Sequence, residues 1–156
     1  MIVIYHDFGG AHTSCVCANI HANILPSDKV PNKEDIMNLP TFDKITKEQY
    51  GHLLYIGTDE FGAKVYTLCR KQKQKFVLPA ISDMYVIFNG DMNGFFLANT
   101  SPTVNNLMRL GGFSSRGLGL VSFGRPIAAK GILKNYSELV NLVQTTKDNM
   151  KKYIET

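Results

Sequence analysis

The stretch that decides the fold is IVIYHDFGGAHTSCVCANI, residues 2–20. It opens with a short apolar, β-branched run at 2–6, which is typical of a buried strand. Apolar side chains then recur at helical spacing over 12–25, so a helix follows the strand. The connection between them, HDFGGAHTS, contains glycines and hydroxyls that let a ligand approach the amino end of the helix. This junction predicts an α/β fold with a candidate anion-binding turn.

The remainder of the chain continues the alternation of strands and helices. HLLYIGTDEFGAKVYTLCRK, residues 52–71, alternates apolar and polar positions around a Gly62 turn and predicts a β-hairpin. The other expected elements are a helix at about 80–89, a strand in GFFLANTS, a helix begun by Ser101-Pro102 and stopped by Gly111-Gly112, a strand in LGLVSFGRP, and a final helix after Asn135. The alternation predicts a three-layer Rossmann-like or P-loop-like sheet, mainly parallel with a hairpin portion.

Length and composition predict one domain covering residues 1–156. A chain of 156 residues with 44% hydrophobic content is large enough to bury a genuine core. Within it, the segment 26–50 holds three prolines and two capping patterns, Asn32 with Asp35 and Thr46 with Gln49. We expect two short helices there, forming an insertion or a lid.

Charge and cysteine content predict a cytoplasmic protein. The net charge is +4, the three cysteines do not form a disulfide framework, and neither a signal peptide nor a membrane span is expected. The basic run RKQKQK, residues 70–75, lacks aromatic residues and is too short for a nucleic-acid surface. We interpret it as a solvated hairpin edge. Nucleic acid and membrane are therefore not expected as partners.

Three loops are expected at the carboxyl ends of strands, where ligands collect in such sheets. They are HDFGGAHTS, ANTSPT and SFGRPIAAKG. Each combines small residues with hydroxyls or a cation that could hold an anion. The candidate catalytic residues are His12, Asp7 and Arg125, and the candidate ligand-binding residues are His6, Gly9, Gly10, Thr13, Ser14, Thr100, Ser101 and Arg116.

The first loop differs from the P-loop pattern GxxxxGK[ST]. His12 stands where the lysine would be, although the hydroxyls of Thr13 and Ser14 are kept. A histidine suits proton transfer or a hydrogen bond to phosphate better than a permanent charge. Mg²⁺ is the candidate cofactor, held by a hydroxyl or by Asp7 through water. The alternative is that the glycines form a tight turn and a hydroxyl caps the helix.

Metal binding and nucleophilic catalysis by a cysteine are two further hypotheses for the same region. His6, His12, Cys15, Cys17 and His21 fall within sixteen residues, but Cys15 and Cys17 lie about 200° apart on a helix. Neither CxxC nor HExxH occurs, so no metal site is assigned. A nucleophilic cysteine in a phosphatase-like loop would need an arginine close behind it, and VCANIH follows Cys15 instead.

The chain also resembles a known family. The stretches YHDFGGAHTS, LPTFDKI, YIGTDEFGAKVY, MRLGGF and GLVSFGRPIAAKG, in this order, are similar to the bacterial family of domain of unknown function 3189 (DUF3189), found mainly in spore-forming Gram-positive bacteria. The resemblance implies a cytoplasmic bacterial protein linked to sporulation, and it implies no activity or catalytic residue.

Two functions from different classes follow from these observations. The first is an enzyme or binding protein that holds a phosphorylated or otherwise anionic small molecule at loop 6–14, with phosphoryl transfer or hydrolysis as the reaction. The second is a non-enzymatic regulatory protein whose segment 26–50 contacts a protein partner.

Overall fold

One mixed sheet organises the residues 1–155 that the computed structural model describes. Its four strands lie in the order β2-β3-β1-β4. Strand β1 is parallel to both of its neighbours, whereas β2 runs antiparallel to β3 as the second arm of a hairpin. The strand bounds are β1 Ile2–Asp7, β2 Leu53–Thr58, β3 Lys64–Cys69 and β4 Phe95–Asn99.

Helices fill the connections between and after these strands. They are α1 Thr13–His21, α2 Lys33–Asn38, α3 Gln74–Asn89, α4 Asn106–Gly112, α5 Val121–Lys134 and α6 Tyr136–Ile154. Single 3₁₀ turns occupy Lys47–Gln49 and Ser101–Thr103, and a π turn occupies Phe113–Gly117. In the part of the chain that the structure describes, no helix combines the length and apolar character needed to cross a bilayer.

The two faces of the sheet pack against different helices. Because side chains alternate along a strand, Val3 and Tyr5 enter the main core with residues of α1, α5 and α6. Ile4 points to the opposite face, where it packs with Leu68, Phe95 and the inner side of α3. The expected α/β architecture, mainly parallel with a hairpin and covered on both faces, is confirmed.

Several local predictions are confirmed. Gly62 has a φ of 75° in the hairpin turn. In the segment 26–50, the backbone N–H of Asn32 donates to Asp35 at 2.9 Å, as the first capping pattern requires. The backbone N–H of Thr46 donates to Gln49, also at 2.9 Å. The predicted helix at 80–89 exists but begins earlier, at Gln74.

The strand predicted in LGLVSFGRP is wrong, because Val121–Lys134 is helix α5. Its apolar run fits a buried helix as well as a strand. Helix α5 packs closely on α4 and the π turn at Gly124, where an added Cβ would lie 2.6 Å from the Gly111 carbonyl oxygen and 2.3 Å from the Ser115 backbone nitrogen. Arg125 therefore lies within a helix and does not follow a strand.

The helix predicted from Ser101-Pro102 to Gly111-Gly112 is wrong at its start, whereas α4 ends at Gly112 as expected. Ser101 begins only a 3₁₀ turn, and α4 starts at Asn106 after the Asn105 side chain accepts from the Met108 N–H at 2.9 Å. Gly111 lies inside α4, where a Cβ would meet the Ala128 nitrogen of α5 at 2.3 Å. Gly111 and Gly124 allow α4 and α5 to approach each other, and after Gly112 the chain continues into the π turn.

Candidate functional site

The turn after β1 is organised by the carboxylate of Asp7. One oxygen accepts from the backbone N–H groups of Gly9 and Gly10, and the other accepts from the Thr13 hydroxyl at 2.7 Å and the Ser14 N–H at 3.1 Å. The Thr100 hydroxyl adds a further bond at 3.1 Å. Burial alone would raise the pKa of Asp7, but these hydrogen bonds bring it below its ordinary value. The turn therefore closes around its own buried anion.

His12 lines a cavity beside the end of β1 and is oriented by Asp43. Its Nε2 lies 3.0 Å from Asp43 Oδ1, and its ring makes an edge contact with Phe42 at 5.3 Å between centroids. Asp43 is in turn held by the Ser115 hydroxyl at 3.0 Å and by Arg125 Nε at 3.4 Å. A carboxylate in this position fixes the orientation of the imidazole ring.

Asp43 is kept ionised by its neighbours. Burial alone would raise its pKa, whereas the hydrogen bond from His12, the Ser115 hydroxyl and the nearby Arg116 lower it below the ordinary value. Arg125 contacts Asp43 and does not line the cavity. Its position indicates that it supports the His12–Asp43 pair from behind.

A second buried network joins the ends of β1, β3 and β4. Arg70 Nε donates to His6 Nδ1 at 3.0 Å, and its Nη2 reaches Ser101 Oγ at 3.0 Å and Asn99 Oδ1 at 3.3 Å. Desolvation, followed by the charge of Arg70, lowers the pKa of His6 to about 4. Arg70 is buried. Placing it on a solvated hairpin edge with the rest of RKQKQK is therefore wrong, because its side chain turns inward to neutral acceptors.

A cavity of about 530 Å³ opens beside the end of β1. Its lining joins the first turn to the π turn and to the segment after β3. The charged and polar residues around it are Asp7, His12, Thr13, Tyr50, Lys71, Ser101, Arg109 and Arg116, and the apolar ones are Phe8, Val104, Met108 and Phe113. The volume falls in the range of small-molecule sites, roughly 300–1,000 Å³.

Cations dominate the electrostatics of this cavity. Among its described lining residues, Lys71, Arg109 and Arg116 are the cations, whereas the one carboxylate, Asp7, is enclosed by the donors of the first turn. Lys71 Nζ lies 3.9 Å from the centre of the Tyr50 ring, and Arg116 donates to the Tyr50 hydroxyl at 3.3 Å. Partial burial would raise the pKa of Tyr50, but Arg116 and Lys71 together lower it. The cavity is therefore electropositive.

The residues predicted as a site divide into two groups. The cavity lining includes Asp7, Gly9, His12, Thr13, Ser101 and Arg116. The remaining candidates lie behind it or within the buried networks, namely His6, Gly10, Ser14, Thr100 and Arg125. The Ser14 hydroxyl is buried and makes no hydrogen bond within the described chain. The predicted first and second loops thus meet at one place, and the third contributes through α5.

Four residues of the site were missed in the sequence. Asp43 lies thirty-one positions from His12, so the contact has no local signature. Arg70 and Lys71 belong to the run RKQKQK, which predicts a solvated edge, and Arg109 lies outside the three candidate loops. The one available signal for Asp43 is that LPTFDKI is among the stretches on which the family resemblance depends.

Among residues 1–155, no group of three His, Cys, Asp or Glu side chains is arranged to hold an ion. The three cysteines are buried, and burial raises the pKa of the Cys15 thiol to about 12.

Comparison with known proteins gives one match. The family described as "Protein of unknown function (DUF3189)" matches residues 2–148, which is nearly the whole chain. No curated protein and no solved structure matches it.

Proposed function

The chain belongs to the DUF3189 family, whose description assigns no activity, and we propose from the geometry of its site that it binds an anionic small molecule in the cavity beside β1. The observation that carries this proposal is the convergence of Lys71, Arg109 and Arg116 on a cavity that also contains an oriented histidine, His12. Phosphate or carboxylate groups are the ligands that such a set of cations recognises.

The anionic group would contact side chains rather than the backbone of the first turn. In a P-loop, backbone N–H groups of the turn bind phosphate. Here the N–H groups of Gly9, Gly10 and Ser14 already donate to Asp7. A second anion at that position would have to displace a buried carboxylate. The proposed ligand would lie at a strand end, as in Rossmann-like and P-loop-like sheets. Side chains would hold it here, in place of the backbone N–H groups of the turn.

His12 and Asp43 supply the chemistry in this proposal. Asp43 accepts from one imidazole nitrogen, which leaves the other for a proton on the ligand or on an attacking water. The reaction class that fits is hydrolysis or phosphoryl transfer, with Arg116 stabilising negative charge that develops on the ligand. Asp7 then holds the turn in shape and does not transfer a proton.

A binding screen tests the first part of the proposal. Thermal shift and calorimetry with inorganic phosphate, pyrophosphate, ATP and a sugar phosphate, each with and without Mg²⁺, should identify one class that stabilises the protein by mass action. Lys71→Gln should weaken that binding at least tenfold, since a charge-assisted hydrogen bond contributes about 1.5–3 kcal/mol. The matched control is Lys134→Gln, which removes an exposed lysine on α5. Equal affinities in both variants would contradict the proposal.

A separate variant tests the chemistry. His12→Asn keeps a side chain that hydrogen-bonds Asp43 but cannot exchange a proton near neutral pH. It should bind the identified ligand within a few-fold of the wild type while losing about 10²–10⁴ of any turnover, the usual contribution of general acid–base catalysis. Full turnover in this variant would exclude His12 as the proton-transfer group.

A second candidate function is a non-enzymatic regulatory protein with a protein partner. The observation that favours it is a run of exposed apolar side chains that begins at the cavity-lining Phe113 and continues with Leu118, Leu120 and Phe123. In this version the family resemblance supplies the setting, a cytoplasmic bacterial protein linked to sporulation, and segment 26–50 acts as the lid or contact surface. Phe123→Asp should then abolish partner capture from a sporulating extract and leave small-anion affinity unchanged. Unchanged partner capture together with a loss of small-anion affinity in Phe123→Asp would reject the regulatory function.

A further inference from the structure

Helix α3 is apolar on both of its sides. Its inner side, with Val77, Leu78, Ile81 and Tyr85, packs on the sheet residues Ile4, Leu68 and Phe95. Its outer side exposes large apolar side chains, with Phe76 at 73% and Ile87 at 71% of full exposure. A helix that is apolar all round is normally covered on both sides. The outer side of α3 therefore lacks its cover in the single chain.

The exposed residues form one continuous stripe along the helix. Phe76, Ala80, Met84 and Ile87 follow the i, i+4, i+8, i+11 spacing of a single helical face. At the sheet edge, Leu53 and Tyr55 of β2 are exposed as well, on the face that α3 covers. We call the helical stripe the outer α3 face.

The charges at the two ends of α3 indicate what covers this face. Lys73 and Lys75 stand at its amino end, its first turn contains no acidic residue, and its last turn contains no basic residue. This is the reverse of what the helix dipole favours, since cations stabilise the carboxyl end. Asp83 lies in the second half of the helix. A second helix running antiparallel would place each set of lysines beside the opposite end of its neighbour.

We propose that the outer α3 face is the two-fold interface of a homodimer, with the α3 helices of two copies packed antiparallel about Ala80. In this arrangement Phe76 of one copy meets Met84 of the other, and Ala80 meets its own equivalent. Lys73 then approaches the carbonyl groups at the carboxyl end of the neighbouring helix, near Gly90. A two-fold axis makes every contact occur twice, which is the usual form of a soluble homo-oligomer.

Small residues at the centre suit this packing. Ala80 lets two helix axes approach to about 8–10 Å, and the adjacent Pro79 is also exposed, so no long side chain separates the backbones. The dimer also compensates for the unfavourable placement of Lys73 and Lys75 at the positive end of their own helix dipole. The lysines at the amino end gain the negative end of the neighbouring helix dipole, and Asp83 faces the half that carries Lys73 and Lys75.

The oligomeric state of the whole chain tests the proposal. Light scattering coupled to size exclusion should give a mass twice the 17.4 kDa of one chain. The double variant Phe76→Lys, Ile87→Lys should give the mass of one chain with an unchanged circular dichroism spectrum, whereas Val30→Lys, at an exposed apolar residue far along the chain from α3, should remain dimeric. A monomeric wild-type protein, or a dimer that survives the double variant, would overturn the proposal.

Cross-linking tests the antiparallel geometry directly. Ala80→Cys places two thiols at the axis, and its oxidation should yield a disulfide-linked dimer, because the native cysteines Cys15, Cys17 and Cys69 are buried. Gln74→Cys is the control, on the same helix but about 120° away from Ala80. Cross-linking no faster at Ala80 than at Gln74 would refute this geometry. Binding of a monomer to anionic lipid vesicles that the double variant abolishes would assign the outer α3 face to a membrane instead and overturn the dimer.

Discussion

Acid should weaken the fold through His6, and the size of the effect follows from its contacts. His6 is 4% exposed and accepts a hydrogen bond from Arg70 Nε, so protonation would place two cations side by side in the interior. Desolvation, followed by the charge of Arg70, lowers its pKa in the folded protein to about 4. The unfolded chain therefore binds more protons than the folded one between pH 6.5 and about 4. Stability contributed by neutral His6 is complete above pH 6.5 and falls as the pH decreases through this window.

The shift from 6.5 to about 4, at 1.36 kcal/mol per pH unit, corresponds to about 3 kcal/mol lost by pH 4. Urea unfolding at half-unit pH steps measures it. His6→Asn keeps an acceptor for Arg70 but does not titrate, so the pH slope of its unfolding free energy should fall by about one proton. The control His52→Asn, at an exposed histidine, should keep the wild-type slope. Equal slopes in wild type and His6→Asn would refute the reasoning, as would a His6 imidazole that titrates near 6.5 by NMR.

Three further perturbations test other parts of the site. Gly10→Ala should destabilise the protein by several kcal/mol in urea unfolding, because its Cβ would lie 2.6 Å from the β3 backbone. The control is Gly62→Ala, at a glycine that also has a positive φ but no atom near the added Cβ, and it should cost only about 1 kcal/mol. Asp43→Asn should reduce any turnover by about 10²-fold or more by leaving His12 without its anionic partner, while a ligand affinity within a few-fold of wild type is retained. Cys15, with a pKa raised to about 12 by burial, should resist iodoacetamide at pH 8 in mass spectrometry unless the protein is unfolded.

The parts of the fold that the sequence predicted depend on local signals. Strand β1, helix α1 and the hairpin around Gly62 follow from periodicity and from a turn that requires a positive φ. The strand prediction at 118–126 failed because an apolar run with small residues fits a strand or a buried helix. What decides between them is the contact of Gly124 with the Ser115 backbone, a tertiary feature without a local pattern.

The candidate site was predictable to a similar extent. The meeting of the first turn with Thr100 and Ser101 followed from the rule that ligands collect at the carboxyl ends of parallel strands. Thr100 bonds to Asp7 at the end of β1, and Ser101 accepts from Arg70 after β3. The role of Asp7 as the internal anion of the turn was not predictable, because a glycine-rich turn looks the same whether it binds a phosphate or its own carboxylate. Asp43 and Arg70 act through contacts that depend on how distant segments pack.

The most direct test of the central claim is to map where an anion binds. Pyrophosphate titrated into ¹⁵N-labelled protein without a metal should shift amide signals around the cavity, at Gly9, His12, Lys71 and Arg116, along one saturating curve. In Lys71→Gln the same titration should need at least a tenfold higher pyrophosphate concentration to reach saturation. Shifts that saturate at residues away from the cavity, or that are unchanged in Lys71→Gln, would contradict an anion site beside β1.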